Sequence, residues 1–269
     1  MILRRFLLII ASIYLLPFFL LCIFQRSFLY VPSHTYVSLH DAHANRFFRQ
    51  ISLHTEDGLD LVAWYAPATS KPFTIVFFHG NGDSLSTAHE VADPYLTAGY
   101  GFLVAEYRGY SGLRGKPTEA GLYADARAEI KGVMAQGVKS QNIILFGHSL
   151  GTGVAIQMAE EFHVGGLMLL APYLSIPKIA KADFPIYPVE YVVLDRFEND
   201  RKIGKIHVPL LIANGKNDQV IPPAQGKLLF DLANEPKQFY SFPDCGHNDS
   251  FGYFSVFSLD WASHLQARN

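Results

Sequence analysis

The chain has 269 residues, 49% apolar and 14% aromatic, which is enough for one sizeable core plus an appendage but not comfortably for two domains. A formal net charge of −2 gives no basic footprint for nucleic acid, so no nucleic-acid partner is expected. Cys22 and Cys245 lie too far apart in any plausible fold to pair. No Cys/His cluster has metal-site spacing and no P-loop is present, so disulfide, metal and cofactor are all unexpected.

The N-terminus is strongly apolar. Residues 6–24 contain no charge, and at 1.5 Å per residue they would span about 28 Å, close to the hydrocarbon thickness of a bilayer. A secretory leader has a shorter apolar core ending at a small-x-small site, whereas this run ends in Cys22-Ile23-Phe24-Gln25-Arg26. Residues 1–26 are therefore expected to be a retained single-pass anchor inserted through 6–24. Arg4 and Arg5 outweigh Arg26, which puts the N-terminus inside and the rest of the chain on the extracytoplasmic side. Residues 27–45, rich in Tyr, His, Pro and Ser without a period, read as a connector to a domain covering 46–269.

Residues 51–54 and 59–65 flank Asp57-Gly58 and predict a β-hairpin. Strands and helices then alternate. Strands are expected at 73–78, 101–107, 142–146, 166–170, 210–213 and 238–242, and helices at 88–98, 118–136 (capped by Thr118), 152–159 and about 248–266. Such alternation predicts an α/β fold, with a mostly parallel central sheet and helices on both faces. Residues 173–207 break the rhythm with three prolines and a charged stretch, and predict a small cap of one or two short helices.

Gly147-His148-Ser149-Leu150-Gly151 joins a buried strand to a helix with small residues on its near face. A serine between two such glycines at a strand-to-helix turn is the nucleophile elbow of an α/β-hydrolase. A serine hydroxyl is a weak nucleophile at neutral pH and needs a base, which in turn needs an orienting acid. In this class the chain order is serine, acid, histidine. Asp218, in the turn after residues 210–213, and His247, in the loop after 238–242, supply that order at carboxyl ends of strands. Asp195 and Asp244 are competing acids without the strand-turn context. The oxyanion hole needs two backbone N–H groups, expected from Leu150 and from Asn81 in the His79-Gly80-Asn81-Gly82 loop. His79 reads as a strand-end residue orienting that loop.

His79-Gly80-Asn81-Gly82, Glu106-Tyr107-Arg108-Gly109-Tyr110-Ser111-Gly112, the Ser149 elbow, Gly215-x-x-Asp218 before Val220-Ile221-Pro222, and Gly246-His247-Asn248-Asp249 occur in that order. Together, over roughly residues 46–267, they resemble the Bem46-like branch of α/β-hydrolases, which is similar to mammalian ABHD13- and ABHD17-type serine hydrolases. The resemblance implies a cap between strands six and seven. It also implies hydrolysis of carboxylic esters or thioesters of a small-molecule or lipid acyl substrate, with Ser149 as nucleophile, His247 as base and Asp218 as its orienter. Ser111 departs from the glycine usual there, and the N-terminal cysteine cluster of the ABHD17 type is missing. Glu106 and Arg108 read as structural pins. Alternatives are a serine peptidase of the same fold and a non-catalytic binding protein that keeps the fold. Because every such motif follows residue 46, a chain lacking residues 1–26 is expected to be soluble and to hydrolyse a short ester.

Overall fold

Apolar runs that offer no polar face can be strands only if both faces are covered. Thr74–Phe78, Ile143–His148 and Gly166–Leu170 are buried at every position and lie at the centre of the molecule. The computed structural model describes residues 2–265. Eight strands, β1 (Arg49–His54), β2 (Asp60–Ala66), β3 (Thr74–Phe78), β4 (Gly101–Val104), β5 (Ile143–His148), β6 (Gly166–Leu170), β7 (Leu210–Gly215) and β8 (Lys237–Phe242), form one sheet. Their order is β1-β2-β4-β3-β5-β6-β7-β8. The β1–β2 hairpin is antiparallel and β2 runs antiparallel to β4, while every later pairing is parallel.

The helices are α1 (Ile2–Leu29), α2 (Leu85–Ala88), α3 (Asp93–Thr97), α4 (Glu119–Ala135), α5 (Leu150–Glu161), α6 (Ile176–Asp183), α7 (Asn199–Lys202), α8 (Pro223–Leu232) and α9 (Phe251–Ser263). Alternate strand residues feed two cores. Val76, Phe78 and Leu145 pack with Leu122 and Ile130 of α4, Val154 and Ile156 of α5 and Leu229 of α8. Ile75, Phe77 and Phe146 pack with Leu85 of α2, Leu96 of α3 and Phe254 and Trp261 of α9. This two-faced burial makes the molecule a layered α/β fold, with helices on both sides of the sheet.

Several boundaries differ from the sequence expectation. The helix expected at 88–98 is split into α2, a 3-10 turn and α3, because Pro94 has no N–H to continue the ladder. Helix α8 was not anticipated, since Pro222-Pro223 reads as a turn although it also starts a helix well. The last helix ends at Ser263, and residue 266 of its expected span lies outside the described residues. The N-terminal helix passes residue 26 and runs to Leu29, and its Ser12–Leu29 stretch is long and apolar enough to cross a membrane. Between β6 and β7 lies the irregular segment that carries α6 and α7.

Helix α5 packs so closely on β3 that a Cβ on Gly151 would lie 2.0 Å from the Phe78 carbonyl oxygen. Backbone cannot yield as a side chain can, so Gly151→Ala should cost about 3 kcal/mol or more. Thermal unfolding should register this as a Tm lowered by roughly 10 °C. An unchanged Tm would mean that the helix and strand are not held at this distance.

Candidate active site

Strand β5 ends at His148 and helix α5 begins at Leu150, so one residue makes the whole turn. That residue, Ser149, has φ 51° and ψ −119°, a conformation side-chain-bearing residues rarely adopt. The turn closes because a Cβ on Gly147 would come within 2.5 Å of the Gly151 carbonyl oxygen, and none is there. Donation from the Ser149 N–H to the Leu170 carbonyl (3.0 Å) ties the strained residue to β6. The side chain is thereby thrust out of the sheet edge.

The loops after β7 and β8 meet it there. Ser149 Oγ lies 3.0 Å from His247 Nε2, and His247 Nδ1 lies 2.7 Å from Asp218 Oδ2. The other oxygen of Asp218 accepts from the Val220 and Ile221 N–H groups at 2.8 Å each. Burial pushes the Asp218 carboxyl up, but the imidazole and those two amides outweigh it and hold it below the usual carboxylate range. An ionised Asp218 accepts a hydrogen bond from Nδ1–H, which leaves Nε2 as the acceptor facing Ser149 Oγ–H. Asp195 is engaged elsewhere: it pairs with Arg26 through two contacts, at 2.7 and 3.3 Å, and caps the Glu119 N–H.

Asn81, Ser149 and Leu150 line one cavity of about 290 Å³. The Leu150 N–H sits at the first position of α5, where the helix has no internal acceptor for it. Asn81 is fixed through its side-chain carbonyl, which accepts from the Val31 N–H (2.8 Å) and the Tyr110 hydroxyl (3.1 Å). The cavity is also lined by Ile176, Ile179 and Val189 from the segment between β6 and β7 and, unexpectedly, by Leu21, Cys22 and Leu29 of α1.

The α1 wall is held by contacts that the apolar run alone did not suggest. Gln25 accepts from the Leu194 N–H and donates to the Val192 carbonyl, Arg26 pairs with Asp195, and the Tyr14 hydroxyl donates to the Ile186 carbonyl. Removing residues 1–26 strips away part of the cavity and the partner of a buried aspartate. No hydropathy signal could show this, although Arg26 just past the apolar run and Asp195 inside the cap segment were both visible in the sequence.

The loop behind the site is held by buried charge. His79 is fully buried, with Nε2 2.9 Å from Glu106 and Nδ1 2.8 Å from the Gly80 carbonyl. Both partners are acceptors, so both ring nitrogens carry protons. Glu106 also accepts from the Tyr107 and Leu85 N–H groups and the Ser111 hydroxyl. Ser111 sits at φ 47°, where glycine is at ease, and its bond to Glu106 accompanies that strain. Arg108 joins Asp57 of the hairpin turn to Asp125 of α4. Neither Glu106 nor Arg108 lines the cavity.

Burial alone would lower the His79 pKa, but Glu106 reverses that and raises it above the usual value. A raised folded value means that His79 stabilises the fold fully below the unfolded value, about 6.5. This contribution is lost as pH rises through the higher folded value. Tm measured from pH 6 upward should therefore fall, and His79→Gln should remove that slope while lowering Tm throughout. A wild-type slope that persisted in the variant would assign it to another group.

A family model described as serine aminopeptidase, S33, matches residues 70–199. An uncharacterized Mycobacterium tuberculosis protein is 33% identical over 204 residues, covering 75% of this chain and 73% of that one. Protein bem46 of Schizosaccharomyces pombe is 29% identical over 231 residues, 79% of this chain and 76% of its own. A Pyrococcus furiosus esterase superposes with a TM-score of 0.66 at 19% identity, over 87% of this chain and 95% of that one. Fold and matches together define a hydrolase of the α/β class. Within that class, the chain belongs to the Bem46-like family.

Proposed function

We propose that the protein is a membrane-anchored serine hydrolase that cleaves carboxylic ester or thioester bonds of acyl substrates. The observation that carries this reading is the unbroken Ser149–His247–Asp218 hydrogen-bond chain at one end of an apolar-walled cavity. His247 Nε2 takes the Ser149 proton as Oγ attacks the acyl carbonyl, and the Leu150 and Asn81 N–H groups receive the developing oxyanion. The tetrahedral intermediate collapses as His247 gives that proton to the departing alkoxide or thiolate, leaving an acyl-serine. Water then repeats the sequence and releases the acid. Asp218 stays ionised throughout.

The matched family model also raises a serine aminopeptidase. Such an enzyme needs a free carboxylate for the substrate ammonium; Asp195 is paired with Arg26, while Asp183 also lines the cavity. The acyl reading is favoured by the apolar lining that Leu21, Leu29, Ile176, Ile179 and Val189 supply. The apolar face of α1 supports the anchor. With Arg26 consumed by its ion pair, Arg4 and Arg5 favour an extracytoplasmic body.

Ser149→Ala should abolish hydrolysis of p-nitrophenyl esters while leaving Tm within about 1 °C, since truncating this hydroxyl costs little. Asp218→Asn should cut kcat by roughly three to four orders of magnitude, by analogy with the serine-protease example of a mis-set tautomer. Steady-state kinetics on both variants decides it. Substantial turnover by Ser149→Ala would remove the serine from the mechanism.

A further inference from the structure

We infer that α1 and the cap dip together into one leaflet of the bilayer and that the pocket takes a linear acyl chain directly from it. The inference rests on the acyl-hydrolase reading above and adds the substrate's physical state and its route.

Helix α1 has two unlike faces. Phe18, Leu21, Cys22, Gln25 and Leu29, at helical spacing, are part-buried and turned to the body of the protein. The remaining face is bare yet apolar, with Phe19 58%, Ile23 69% and Phe28 63% exposed. In water such a stripe is a liability, whereas in hydrocarbon it is at rest.

The cap grips α1 inside the apolar run. The Tyr187 ring lies 5.0 Å from that of Tyr14 and 5.7 Å from that of Phe18. If residues 6–24 cross the hydrocarbon, Phe18 lies about 9 Å from the edge at residue 24 and Tyr14 about 15 Å from it, close to the midplane, at 1.5 Å per residue. The cap loop touching them must lie at that depth, and it is suited to it: Ile186 is 68%, Tyr191 82% and Leu194 62% exposed. Its Lys181 is satisfied by the Pro185 and Tyr187 carbonyls and by Glu190.

Both elements line the cavity, α1 with Leu21 and Leu29 and the cap with Ile179 and Val189, together with Ser149. Leu21 to Leu29 spans about 12 Å of helix, the reach of roughly ten methylenes. Between Leu21 and Leu29, Gln25 and Arg26 bond to Val192, Leu194 and Asp195 of the cap and supply the polar part of the lining. An acyl chain lying in the leaflet can therefore slide between α1 and cap until its carbonyl meets Ser149, without passing through water.

The test uses the full chain in phosphatidylcholine vesicles, comparing only the rate that Ser149→Ala eliminates, so a failed triad shows as turnover surviving in that variant. Leu21→Trp fills the α1 side of the cavity and should lower the ratio of dodecanoyl to acetyl ester hydrolysis at least tenfold. Separately, the indole introduced by Tyr191→Trp, a surface change, should lose at least half its fluorescence in vesicles of brominated phosphatidylcholine. Vesicle-borne monoacylglycerol and a vesicle-borne S-acyl peptide then separate the two sources of the chain, cleavage of either supporting the proposal. An unchanged chain-length ratio, an unquenched indole, or cleavage of neither vesicle-borne substrate would overturn it.

Discussion

One strained residue organises the site. Ser149 can sit at φ 51° between strand and helix only because Gly147 and Gly151 let the α5 backbone press against β3 and β5. That close approach puts the Leu150 N–H, the Ser149 hydroxyl and the Asn81 loop on one cavity wall. Parallel strands then deliver the rest, because β7 and β8 end at the same edge as β5 and their loops carry Asp218 and His247. The strain is offset elsewhere, by the Ser149–Leu170 backbone bond and by full burial of the flanking strands.

Buried charge does the remaining positioning. His79, Glu106 and Glu129 lie fully buried, and Glu129 accepts the Glu106 N–H. Burial and the neighbouring carboxylates push the Glu129 carboxyl well above its usual range. His148, whose ring lies 5.2 Å from that of His247, is pushed down by burial and only partly restored by Asp83.

The strand series and the elbow were legible in the sequence because period, glycine placement and chain order are local properties. The same holds for Asp218 and His247, whose strand-turn contexts can be read without knowing the fold. Helix α8 was hidden by Pro222-Pro223, which begins a helix and a turn equally well. The split at Pro94 was legible too, since a proline inside an expected helix has no N–H to continue it. What sequence could not show is which face of α1 is covered. Hydropathy measures how far an apolar run reaches, and it is blind to Gln25 and Arg26 bonding across some 170 residues to the cap. The helix is therefore both an apolar span and a wall of the cavity, and its two roles share the same residues.

The central claim is that His247 activates Ser149, and covalent capture reads this directly. A fluorophosphonate, which reacts only with an activated serine, should modify the intact protein once. Peptide mapping should put the adduct on Ser149, and His247→Ala should slow labelling by orders of magnitude. An adduct on another serine, or labelling equally fast without His247, would contradict the account.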